Sequence, residues 1–396
     1  MTATSPRADG GGPAGAERLS VGSAMSEAAA AWRDGLDEEQ RAVGVWDWAP
    51  GCNEAERLQW FYTPTDHGGL TMHQMAPAQQ RAAMRLLATG LSHAAYVTAS
   101  SIMGLENVLD RLEGWQIGFA RDRGRDPGMY YVRVFGNPTG DGPWAWRFGG
   151  HHVSVHHLLV DGAVVASTPC FLGSDPAVSP LLGGRELRLL GGVEDLAREL
   201  LHSLDPDHRA RAVVSEVPPV DIVAGNRVHI PEGAALIPLP DLWRGHFSDT
   251  AIEDRLWSMH HQGRAMLHTT AVDDATVALT AAPKGLAARE MTNGSRDVLR
   301  ALLDTYVGRA PDELVASERA RFDETVLDDV HFAWAGGAER GQPHYYRLQG
   351  PRLLAEWDNT QRDVNHAHSV WRDPGHDFGL DVLARHRSHH HDDPPR

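Results

Sequence analysis

Two stretches of this chain match each other at a fixed spacing, and that recurrence limits the available folds more than any other feature. GLTMHQMAPAQQRAAMRLLATG begins at Gly69 and GLAAREMTNGSRDVLRALLDTY at Gly285. Gly69, Leu70, Met75, Leu86 and Leu87 recur as Gly285, Leu286, Met291, Leu302 and Leu303, each pair 216 residues apart. Further on, the Tyr130–Tyr131 pair of MYYVRVFGNP recurs as Tyr345–Tyr346 of HYYRLQGP. A spacing kept across a helix-like and a strand-like element points to a duplicated unit. Each unit reads as a Gly-Leu loop, a helix, a second helical stretch (Ala94–Leu112 and Asp312–Leu327) and a strand hairpin. The expected fold is α+β, with two similar halves, each with helices packed on a small antiparallel sheet. The halves are expected to face each other across a cleft.

The rest of the chain is divided around these units. Residues 1–24 are rich in Gly, Ala, Ser and Pro and read as a disordered leader without the apolar stretch of a secretory signal, which suggests a cytoplasmic protein. Residues 25–212 form the first unit with an added hairpin at Asp161–Gly162 and an amphipathic helix at Val193–Leu204. Residues 213–283 are irregular and read as an insert or lid. Residues 284–385 form the second unit, and 386–396 a polar, His-rich tail.

Charge narrows the partners. A formal charge of −16 argues against nucleic acid and anionic membrane surfaces, both of which need a basic face. No apolar run approaches the length needed to span a bilayer. With only Cys52 and Cys170, neither a disulfide framework nor a thiolate metal site is available. A small-molecule substrate is the expected partner, and the composition does not address oligomeric state.

Any metal must therefore use imidazole, carboxylate or amide oxygen. The segment RLLAEWDNTQRDVNHAHSVWRD (352–373) concentrates such groups. If a strand begins near Asn365, His366 and His368 share one of its faces, because side chains alternate along a strand. In the first unit, GGHHVSVHH offers His152 at a glycine-lined strand entry. His152, His366 and His368 are the expected ligands of one divalent transition metal (zinc, copper or iron), with Glu356 completing the set or acting as general base. His151, Asp358, Asn359 and Gln361 are expected to orient the imidazoles. Arg372 is a candidate for fixing a substrate carboxylate or phosphate. Trp144, Trp146, Trp357 and Trp371 flank the polar clusters and could wall a pocket.

PTDHGGL, YYVRVFG, WRFGGHHVSV, LARELLHSLD, HFAWAGG, HYYRLQGP, EWDNTQRDVNHAHSVWRD and DFGLDVL together resemble a bacterial and fungal domain-of-unknown-function family, number 3500. The resemblance runs from about Trp60 to Leu383, and the piece around Ala251–His268 is longer than the family leads one to expect. It implies a single architectural unit and no activity. On the residues alone, the expected function is a metal-dependent enzyme acting on a small molecule, with hydrolysis by a metal-bound water ahead. A copper- or iron-dependent oxidoreductase using the same ligands is one alternative. A non-catalytic ligand-binding module is the other.

Overall fold

The computed structural model describes residues 13–116, 123, 125–245, 247 and 249–384. The first half of the chain runs α1 (Pro13–Asp34), α2 (Glu38–Gly44), β1 (Val45–Trp46), α3 (Cys52–Leu58), β2 (Leu70–Thr71), α4 (Pro77–Thr89) and α5 (His93–Leu112). It continues through β3 (Tyr131–Phe135), β4 (Trp144–Gly150), β5 (Val153–Val160), β6 (Ala163–Ala166) and β7 (Cys170–Ser174), then a separate hairpin of β8 (Ser179–Leu181) and β9 (Arg185–Leu187). The second half begins with α6 (Gly191–Ser203), α7 (Pro206–Ala212) and β10 (Val213–Ser215), followed by α8 (Thr250–Leu267) and α9 (Ala271–Val277). It closes with β11 (Leu286–Ala287), α10 (Asn293–Val307), α11 (Asp312–Ala320), α12 (Glu324–Asp328), β12 (His331–Gly336), β13 (His344–Gly350), β14 (Leu353–Gln361) and β15 (His366–Arg372).

The fold is a mixed α+β architecture around one 13-stranded sheet, whose main path runs β1-β3-β4-β5-β7-β15-β14-β13-β12-β10, with β2, β6 and β11 paired off it to β3, β5 and β12. Pairing partners mirror each other about the β7–β15 join. β1 lies parallel to β3, and β10 parallel to β12. Leu70 opposes Val132 as Leu286 opposes Phe332. Gly150 opposes Val153 as Gly350 opposes Leu353. Two expectations change here. The halves are not separate sheets facing across a cleft, since β7 hydrogen-bonds directly to β15 from Cys170↔Trp371 to Ala367↔Ser174. The two Tyr-Tyr pairs also fall on different strands: Tyr131 opposes Thr71 on β3, the position held by His331 opposite Ala287 on β12, while Tyr345–Tyr346 lie on β13. By register His152 therefore corresponds to Arg352, and both sit at left-handed turns (φ +65° and +57°).

Alternation along the strands divides the sheet into two chemically different faces. Trp146, Phe148, Val155, Leu348, Trp357 and Trp371 join α1, α4, α5, α6 and α10 in the main apolar core. The opposite face presents Arg133, Arg147, His156, Arg347, Glu356, Asp358, His368 and Arg372, all buried. Residues 58–62 and 220–279 supply smaller apolar clusters there. The segment expected to be a lid or linker is thus a cover. Its main chain lacks long ladders, and charged side chains satisfy it instead: Arg347 donates to Val277 O at 2.7 Å, and Arg372 to Arg227 O and Val228 O at 2.7 and 2.9 Å.

Residues 13–24 of the expected leader are the first turns of α1, with Val21, Met25, Ala28, Ala29 and Trp32 buried at helical spacing. Its small residues serve close packing: a Cβ on Gly22 would lie 2.0 Å from Gly162 O. Residues 1–12 and the tail at 386–396 lie outside the described residues. Among the described helices none is long and apolar enough to cross a membrane.

Candidate functional site

β7 lies between β5 and β15, and Gly173 on β7 opposes His368. On its other side the Gly173 amide donates to His152 O at 2.8 Å, which continues the β5–β7 pairing past the end of β5. Gly173 has no side chain to separate the two imidazoles. A Cβ there would lie 2.8 Å from His152 Cδ2. His366 enters from the start of β15, two residues before His368 and on the same face. The three rings meet over this seam: His152 Nε2 is 2.8 Å from His366 Nε2 and 3.3 Å from His368 Nε2. These ring nitrogens all lie within 4.8 Å of one another.

The surroundings hold the rings in place. His368 Nδ1 is 2.7 Å from Asp221 Oδ1, and Tyr62 donates its hydroxyl to Asp221 Oδ2 at 3.0 Å. His366 Nδ1 faces Asp175 Oδ2 at 3.8 Å, and Arg362 Nε is 2.8 Å from the same oxygen. His151 stacks on His152 with ring centroids 3.7 Å apart, and its Nδ1 lies 2.5 Å from Glu106 Oε1. The Asp221 carboxylate on His368 Nδ1 leaves the Nε2 of that ring to face the other two. His366 is the most accessible of the three, with 12% of its side chain exposed.

Burial sets the charge states. It holds His152 and His366 well below the ordinary imidazole value, and neighbouring positive groups push the same way. Both rings are therefore neutral, the form in which imidazole binds a metal. Asp175 is pushed up to about 7 by burial, against the pull of Arg362 and Arg125. Asp358 is raised well above the carboxylate range by burial and by Asp221. Asp358 accepts from Thr360 Oγ1 at 2.9 Å, and Asp221, Asp358 and His368 form a second convergent group that shares an imidazole with the first.

Several expected site residues do other work. Glu356 stays outside both convergent groups because its oxygens are engaged. It accepts from Tyr345 Oη at 2.7 Å, Val223 N at 2.8 Å and Ala224 N at 3.0 Å. It thereby anchors the backbone that carries Asp221. Arg372 is fully buried, with Nε 2.8 Å from Asp377 Oδ2 and its other nitrogens on Arg227 O and Val228 O, so it holds the cover segment rather than a substrate. Asn359 accepts from His366 N at 3.3 Å, and Gln361 donates to Val220 O at 3.0 Å, so both brace the site at its edges. Trp144, Trp146, Trp357 and Trp371 belong to the helix-side core and wall no pocket at this site. Asp221, Asp175, Tyr62 and Gly173 carried no recognisable motif in the sequence.

No curated protein and no solved structure matches the chain. The model of the family described as "Protein of unknown function (DUF3500)" matches residues 20–380, and the chain belongs to that family.

Proposed function

We propose that His152, His366 and His368 hold one divalent transition metal, and that the protein uses it to hydrolyse a small molecule. The observation that carries this is the convergence of three imidazole rings, with His152 Nε2 2.8 Å from His366 Nε2 and 3.3 Å from His368 Nε2. Two imidazoles bound tetrahedrally at about 2.0–2.1 Å have nitrogens about 3.3–3.4 Å apart, which the His152–His368 pair matches and the His152–His366 pair would reach by opening about 0.5 Å. Three nitrogens leave a fourth position open to water, and zinc there would bring the pKa of that water near 7. This matters because Glu356 is unavailable as a base. Asp221, fixed by Tyr62, would orient His368 and strengthen it as a donor. A substrate would approach from the His366 side, beside Arg362.

The wholly imidazole set also suits copper or iron, which would make the protein an oxidoreductase. The mirrored register about β7–β15 supports an origin of the two halves by internal duplication, with the site built where the copies join.

Metal analysis of purified protein lacking residues 386–396 tests the reading, since removing the tail removes its adventitious histidines. About one equivalent of metal is expected, with zinc favouring hydrolysis and copper or iron oxidation. Protein that takes up no divalent ion would overturn the proposal and leave a non-catalytic binding module.

A further inference from the structure

A second region of the polar face holds charged chemistry that the histidine site does not use. Three guanidiniums converge on one carboxylate: Arg133 Nη1 and Arg244 Nη2 reach Glu56 at 2.7 and 2.6 Å, and Arg147 also contacts it. Arg147 is further satisfied by carbonyls, with Nη1 2.6 Å from Glu56 O and Nη2 2.6 Å from His67 O. Both Arg147 and Arg133 keep a buried Nε without a hydrogen-bond partner, and Arg133 is 5% exposed. Its guanidinium carbon lies 3.9 Å from the centroid of the Trp46 ring, a cation–π arrangement.

Arg133 and Arg244 both line a cavity of about 850 Å³, with Trp46, Tyr131, Trp243 and Phe247 among its walls. That volume falls in the range of small-molecule sites. None of His152, His366 and His368 lines it. Asp66 and Asp249 also line the cavity, but both are exposed, where water and salt screen them. The positive groups are thus the less accessible and the negative groups the more accessible. Burial, helped by the nearby Arg147 charge, pushes Arg133 down to about 10, as expected of a cation short of counter-charge.

We propose that this cavity binds a small organic anion, with its carboxylate or phosphate on Arg133 and Arg244 and a planar apolar body against the aromatic walls. Three guanidiniums share the one buried carboxylate of Glu56, which leaves positive charge at the cavity wall. An anion in the cavity supplies the missing counter-charge.

Fluorine NMR of 4-fluorobenzoate and 4-fluorophenyl phosphate, titrated with the full chain, tests this and separates the two anion types. Saturable one-site binding of at least one of them is expected, with neutral 4-fluorobenzamide at least tenfold weaker. Arg244→Met should weaken the anion at least tenfold. Because Arg133 and Arg244 both partner buried Glu56, so that either substitution can disturb the fold, Trp243→Ala serves as the second variant, with a several-fold loss expected. Asp66→Asn should leave affinity unchanged or raise it, and His366→Ala should leave it unchanged. Non-saturable binding, equal binding of the amide, or undiminished binding by Arg244→Met would overturn the proposal.

Discussion

His152 Nε2 and His366 Nε2 lie 2.8 Å apart although 214 residues of chain separate them. Two neutral rings can share at most one hydrogen bond, yet His368 turns its Nε2 to the same point. On the proposed reading a common cation would sit where the three ring nitrogens meet. His366→Ala should therefore reduce bound metal from about one equivalent to below about 0.1. Its effect on the stability of metal-free protein should stay within about 1 kcal/mol, since the ring packs on other imidazoles at the edge of the cover rather than in the apolar core. Metal content and denaturant midpoints, measured on tail-less protein, give both numbers. Full retention of metal by the variant would remove His366 from the site.

Gly173→Ala probes the seam without touching a ligand. The new methyl would press on His152 Cδ2 and Cγ at 2.8 and 3.0 Å and on Ala367 O at 3.1 Å. Overpacking of this kind costs about 1–3 kcal/mol, so the protein should still fold. The displaced imidazole should weaken metal binding at least tenfold, as read by competition with a chelator. Unchanged affinity would mean that the ring positions are not set by the glycine.

Glu356 separates anchoring from ligation. Glu356→Ala leaves the Tyr345 hydroxyl and two buried amides without an acceptor and should cost roughly 3 kcal/mol. Glu356→Gln keeps one acceptor oxygen and should cost roughly half as much. Both should weaken metal binding less than His366→Ala does. If Glu356→Gln instead abolished metal uptake at unchanged stability, Glu356 would be a ligand after all.

Away from the site, His157 predicts an acid sensitivity. It stacks on Trp146 in the helix-side core, and burial pushes its imidazole down to about 3. Such a group binds fewer protons folded than unfolded. Its contribution is fully present above about pH 6.5 and is lost as pH falls toward the folded value. Between pH 6.5 and 4.5 that amounts to roughly 2 kcal/mol. His157→Phe should flatten the stability-versus-pH curve by about this amount in urea titrations. An unchanged slope would show that His157 takes up no proton in that interval on unfolding.

The histidine cluster was legible because two local rules were enough to place it. Strand parity put His366 and His368 on one face, and the glycines before His151 marked a sharp strand entry. Its supports were not legible. Asp221 comes from a stretch whose main chain is satisfied by distant side chains, so no periodicity marks it. Glu356 looked like a ligand because an acid near histidines usually does, and the amides that occupy it lie 132 and 133 residues away. The expectation of a cleft failed for a similar reason. Which edges of two similar sheets meet depends on the pairing of β7 with β15, and nothing local encodes that pairing. The matched Tyr-Tyr pairs misled because aromatic residues suit strands in general.

The β7–β15 ladder also bears on how the molecule comes apart. One imidazole of the cluster is delivered beside β7 and two by β15, so an ion held by all three would be a rivet through the line along which the halves would otherwise peel. Loading the site would then raise the force or denaturant needed to open that line before it changed anything in the helical layers. Hydrogen exchange at Phe171–Ser174 and Ala367–Trp371 would slow first, while exchange in the helices would lag behind.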